Sequence, residues 1–137
     1  MFNAHFASST GEAATGLMLT SPALTSSAYS NFLADWASRY DTPPTSPAPA
    51  YAYDAAQLLL TAIEDVAIVG ETGALVIGRN ALRLQLGADD GLMGLTGRLQ
   101  CDNAGECAAP NYGVYALDAD VISDQSWPPP LIWQFEE

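Results

Sequence analysis

Four prolines fall within positions 43–49, in the run Asp41-Thr42-Pro43-Pro44-Thr45-Ser46-Pro47-Ala48-Pro49, and they stand between two stretches of helical spacing. Proline fixes φ and removes a backbone donor, so neither helix continues through this run. A stiff, extended connector is predicted, and it need not separate two domains. On its N-terminal side, Tyr29, Phe32, Leu33, Trp36 and Tyr40 recur at i, i+3, i+4, i+7 and i+11, one face of a helix that Ser26 or Ser27 caps. On its C-terminal side a second helix is predicted from near Tyr51 to about Val69. Its apolar face is Ala55, Leu58, Leu59, Ala62, Ile63 and Val66, with Glu64 and Asp65 turned away.

The remaining pieces are short. Residues 5–13 have room for one or two helical turns. Gly16 to Ser21 is predicted as a short buried strand ended by Pro22. Gly70-Glu71-Thr72-Gly73 breaks the second helix, Ala74 to Ile77 is a brief apolar run, and Asn80 to Leu86 reads as helix with Leu82 and Leu86 one turn apart. Leu95 to Cys101 is predicted to be a strand. Asp102-Asn103-Ala104-Gly105 has the residues of a tight turn, with Gly105 able to take positive φ, and Tyr112 to Leu117 is the return or following strand. Ser126 to Trp133, stiffened by Pro128, Pro129 and Pro130, is predicted to lie across a surface as an extended strap.

At 137 residues and 49% hydrophobic content, the chain suffices for one domain with a core. Four arginines stand against sixteen acidic residues, a net charge of −12. That balance disfavours nucleic acid and anionic membrane surfaces, both of which require clustered cations. No apolar run reaches the length of a membrane span, and Met1-Phe2-Asn3-Ala4-His5 has neither the basic nor the apolar region of a secretory leader.

Cys101 and Cys107 flank the Asp102–Glu106 turn, where two strands bring cysteines to bonding distance. A disulfide is expected, two independent thiols being the alternative; two sulfurs without a nearby histidine do not make a zinc set. Neither a nucleophile elbow nor a phosphate-binding glycine loop is present, and no base is placed for Cys101. Asp89-Asp90 and Asp118…Asp120 lack the spacing of a calcium loop and read as solvated. Arg79 and Arg83 share a helix face and read as partners of acidic neighbours, and His5 reads as a surface residue. No cofactor and no metal site is expected.

Several segments, taken in order, resemble the C-terminal part of the type I periplasmic solute-binding proteins, the branched-chain amino acid (leucine/isoleucine/valine) binding group in particular. They are Gly11-Glu12-Ala13-Ala14-Thr15-Gly16-Leu17, the Phe32…Tyr40 helix, the Tyr53-Asp54-Ala55 helix start, Arg79-Asn80-Ala81-Leu82-Arg83, Gly94-Leu95-Thr96-Gly97 and the Asp102…Gly105 turn. The resemblance implies a partial α/β fold with pieces of two lobes. Residues 1–22 and 112–137 would belong to the second lobe and its hinge, and residues 23–111 to the first. It implies no enzyme activity. It implies instead the extracytoplasmic solute-binding component of an ABC importer, which takes an amino acid or related small amide and passes it to a permease. The location implied is periplasmic or extracellular, the leader having been lost with an N-terminal lobe. Of the ligand-contacting segments, only the approach to the second helix falls in this chain, which makes Ala50, Tyr51 and Tyr53 the candidate ligand-binding residues. Asp54 reads instead as a carboxylate complementing the helix dipole. Two alternatives stand beside this reading: a ligand-sensing receptor module of the same fold, and an unrelated self-contained domain. Without the sheets that such helices normally cover, marginal stability or self-association is expected.

Overall fold

The computed structural model describes residues 2–88, 91–102, 104–107 and 111–135. In chain order the elements are α1 (Ala4–Thr10), a 3-10 turn (Gly11–Ala14), β1 (Met18–Pro22), α2 (Ser27–Tyr40), α3 (Ala48–Val66), β2 (Ile68–Val69), β3 (Leu75–Val76), α4 (Arg79–Ala88), β4 (Leu92–Met93), β5 (Arg98–Leu99), β6 (Tyr112–Ala116), α5 (Ala119–Asp124) and β7 (Leu131–Gln134). They divide into two compact units, Met1–Pro49 with Pro110–Glu137, and Ala50–Ala109.

The first unit is built on a three-stranded antiparallel sheet of order β1-β6-β7. Met18 pairs with Ala116 and Pro22 with Tyr112 along one ladder, and Val114 pairs with Trp133 along the other. A bulge follows, so that Tyr115 faces Leu131 and Ile132 is the extra residue. Gly113 lets these strands close. A Cβ there would collide with the Leu131 side chain and lie 3.2 Å from both Ala23 Cβ and Trp133 O. A small core joins Ala7, Ala14, Leu117 and Val121, with Phe6, Leu19, Ile122 and Trp127 against it. Capping follows local chemistry. Asn3 accepts from the His5 N–H at 2.8 Å, Ser26 from Tyr29 at 3.1 Å, and Asp118 from Val121 at 2.8 Å. The aspartate read as a solvated loop residue is therefore the cap of α5.

Three sequence expectations for this unit are corrected. The strand near Gly16–Pro22 is not buried: it is the sheet edge, with Met18 70% exposed and only Ser21 fully covered. The Tyr112 strand does not return from Leu95–Cys101; its partners are β1 and β7. The C-terminal strap is a true strand over Leu131–Gln134. Strand partners lie far apart in sequence, so local spacing carries no record of them. The aromatic face of α2 forms as predicted, with ring centroids of Phe32–Trp36 at 5.7 Å and Trp36–Tyr40 at 4.6 Å. None of its residues is fully buried.

The second unit holds α3, α4 and two small hairpins. α3 begins earlier than expected, at Ala48, with Pro49 in its first turn, where a missing N–H costs nothing. It ends earlier too, at Val66, because Ile68–Val69 leaves the helix and pairs with Leu75–Val76. The Gly70–Gly73 breaker is therefore a hairpin turn, with Gly73 at φ 80°. Ile68, Val69, Leu75 and Val76 are all half or more exposed. Exposed apolar side chains on a two-stranded sheet are an association liability that the sequence reading, which placed Ile68 and Val69 in a helix, did not locate.

Candidate functional site

The start of α3 carries the three candidate ligand residues, and the helix presents them very differently. Ala50 is 1% exposed, Tyr51 is half-buried, and Tyr53 is 48% exposed. Successive helical positions turn by about 100°, so Ala50, Asp54, Leu58 and Ala62, each four apart, form one buried stripe. This stripe is rotated from the one that apolar spacing selects. Ala55 and Leu59 are exposed, while a carboxylate occupies the buried face.

Asp54 is the reason for the rotation. At 2% exposure it is among the most deeply buried side chains of the protein. Its Oδ1 accepts the Leu95 N–H at 2.8 Å, and its Oδ2 accepts the Thr96 N–H at 2.8 Å and the Thr96 hydroxyl at 2.6 Å. The donors belong to the Gly94-Leu95-Thr96-Gly97 turn joining β4 to β5, in which the Gly94 N–H donates to Gly97 O at 2.8 Å. Two successive backbone N–H groups aimed at one carboxylate form a small anion-binding nest. Gly94 lies against it so closely that a Cβ would stand 2.5–2.7 Å from the carboxyl atoms. The glycine is required by space.

Two expectations change here. Leu95–Cys101 is not one strand: Leu95–Gly97 is the turn, and only Arg98–Leu99 is β-structure. Nor is Asp54 a carboxylate at a helix mouth. It sits seven residues into α3, where three donors hold it as a clamp between helix and turn. Its acceptor positions are taken by the protein's own groups, so it serves architecture and leaves little for a ligand. An aspartate amid Ala55, Ala56 and Leu58 was the available signal, but its partners lie 41 and 42 residues away.

Beyond this turn Cys101 and Cys107 form a disulfide with S–S 2.10 Å. The loop that it closes is organised by Asp102, whose Oδ1 accepts the N–H groups of Ala104 and Glu106, each at 2.9 Å. Gly105 takes φ 90°, the positive value its position in the turn suggested. Arg79 and Arg83 are exposed on α4, as is His5 on α1. Gln85 on α4 donates to Asp65 on α3 at 3.0 Å. Asp89-Asp90 lie outside the described residues. Among the described residues no group of three or more His, Cys, Asp or Glu gathers as a metal site, and no helix is long and apolar enough to cross a membrane.

This α/β arrangement is part of the type I periplasmic-binding-protein fold. One solved structure it is similar to is a leucine-binding protein, LivK, from Thermotoga maritima MSB8, with a TM-score of 0.60 and 23% sequence identity. The match covers 79% of this chain and 29% of that one, so the chain spans less than a third of its structural neighbour. No family model and no curated protein matches the sequence.

Proposed function

We propose that this chain is the C-terminal portion of an extracytoplasmic solute-binding protein for amino acids, branched-chain ones in particular, or related small amides. In that reading the whole protein closes two lobes around its ligand by hinge motion and passes it to an ABC permease. The observation that carries the reading is the fold shared with the leucine-binding protein. The Cys101–Cys107 disulfide supports an oxidising compartment, periplasmic or extracellular.

Residues 1–22 and 112–137 are assigned to the second lobe and hinge, and 23–111 to the first. In support, the two proposed hinge crossings run side by side. Pro22 pairs with Tyr112, and the Ala23 N–H donates to Asn111 O at 2.7 Å. Ala50, Tyr51 and Tyr53 remain the proposed ligand-side residues. Tyr53 offers the most surface, and Ala50 is buried.

Two linked measurements test this. An immunoblot of source cells with an antibody to residues 118–137 should show a band well above 14.4 kDa. Calorimetric titration of that larger product with L-leucine should give saturable one-site binding, weakened several-fold by Tyr53→Ala. A native band at 14.4 kDa would remove the two-lobed reading. A larger product that binds no amino acid or amide would remove the transport assignment and favour a sensor of another ligand.

A further inference from the structure

A pocket of about 110 Å3 lies within the first unit, and Ala50, Tyr51 and Tyr53 are not among the described residues that line it. Phe2, Tyr29, Tyr115 and Trp127 line it together with Leu24 and Leu33. Most of the remaining wall is proline, chiefly from the 43–47 connector. None of the described lining residues carries a charge, and their polar side-chain groups are the Ser46 and tyrosine hydroxyls and the Trp127 indole N–H. Three of the aromatic walls are already locked in tilted packing, with Phe2 4.6 Å from Tyr115 and 4.7 Å from Trp127 between ring centroids.

This chemistry sorts ligands. A dry apolar cavity of about 150 Å3 takes a benzene ring; the space here is smaller and part-open to solvent, so a single ring enters with one edge left outside. An amino-acid zwitterion would find no charged partner among the described residues of this wall and would keep its charges at the open side. One polar handle has a defined geometry. The Tyr115 hydroxyl donates to Pro22 O at 3.3 Å, beside the pocket, and its own lone pairs remain to accept. Burial raises the phenol pKa of both Tyr29 and Tyr115, and Tyr29 adds to the shift at Tyr115, in keeping with two neutral hydroxyls near each other.

We propose that this pocket binds uncharged single-ring aromatic molecules bearing a hydrogen-bond donor, the phenol class. The proposal concerns the 137-residue chain by itself, since Tyr29 and Leu33 lie on the α2 face that a sheet of a larger two-lobed product would cover. The probe is phenol, titrated into the 15N-labelled 137-residue chain while the indole N–H signal of Trp127 is followed. A saturable shift is expected, with Kd on the order of 1 mM, and L-leucine at the same concentrations should leave that signal in place. Leu33→Trp, which fills the space, should abolish the shift in a chain whose far-UV circular dichroism is unchanged. Tyr115→Phe should weaken phenol by about 3–10-fold and leave toluene unaffected, a split that loss of packing alone would not produce. Should Leu33→Trp fail to fold, that phenol–toluene comparison decides. A shift that never saturates, equal binding of leucine, or a folded Leu33→Trp chain that still binds overturns the proposal.

Discussion

Replacing Asp54 by alanine isolates the one buried carboxylate that holds α3 to the β4–β5 turn. The change removes three hydrogen bonds, at 2.8, 2.8 and 2.6 Å, and takes away the carboxylate that the Leu95 and Thr96 N–H groups donate to. Hydrogen bonds to a charged group contribute about 1.5–3 kcal/mol each, and a stranded buried donor costs about 1–3 kcal/mol. These terms overlap, since the turn relaxes and water enters, so the expected loss is about 3–5 kcal/mol. The unit that contains them has about 60 residues. Stability of about 0.05–0.15 kcal/mol per residue gives such a unit roughly 3–9 kcal/mol in all. Asp54→Ala should therefore leave much of it unfolded at 25 °C. Asp54→Asn keeps the shape but offers one accepting oxygen in place of two, and should cost about 2 kcal/mol. Trp36, Trp127 and Trp133 all belong to the other unit, so tryptophan fluorescence is the wrong probe. Urea unfolding by far-UV circular dichroism, with amide exchange at Leu95 and Thr96, reads the right region. A double-mutant cycle with Thr96→Val should return a coupling of about 1 kcal/mol. If Asp54→Ala costs no more than exposed Glu71→Ala, the clamp does not exist in solution.

Gly94→Ala should behave like a milder Asp54 substitution, because its methyl competes with the carboxyl group for the same space. A loss of about 2–3 kcal/mol is expected in the same urea assay, and an unchanged midpoint would contradict the close approach. The disulfide closes a short loop, Cys101 to Cys107, so chain-entropy arithmetic gives about 2 kcal/mol. Reduction or the double Cys→Ser variant should lower the melting midpoint by about 10 °C, whereas an indifferent midpoint would point to compensating strain. Tyr29 and Tyr115 have phenol pKa values raised chiefly by burial, with Tyr29 contributing second to the shift of Tyr115. Their folded values exceed the unfolded value near 10, so their contribution is complete below about pH 10 and is lost as pH climbs through the raised values. Absorbance at 295 nm should show late ionisation that Tyr29→Phe with Tyr115→Phe removes; simultaneous titration of all six tyrosines would refute the burial.

Much of the candidate site was legible as local pattern. The helix carrying Ala50, Tyr51 and Tyr53 and the cysteine loop were each signalled by residues within a few positions of one another, whereas the turn after Gly94 was read as strand. Asp54 was visible but misassigned. A carboxylate near a helix start has an ordinary local explanation, and its donors are invisible without the fold. The same limitation moved the buried face of α3 away from Leu59 and Ala55.

The sequence alone located α2, α3 and α4 and the Ser26 cap, because capping, the proline run and apolar recurrence act within one or two turns; the ends of α3 and the Asp118 cap of α5 came only with the structure. The sequence determined the Asp102–Gly105 turn and the disulfide for the same reason, both being short loops. Tertiary structure alone decided which strands are neighbours. Met18–Pro22, Tyr112–Ala116 and Leu131–Gln134 make one sheet although more than ninety residues separate the partners Pro22 and Tyr115. It also decided that an aspartate, and not a leucine, occupies the centre of the α3 interface. Pairing and burial are set by surfaces that meet only once the chain has folded, and no local spacing encodes which surfaces those will be.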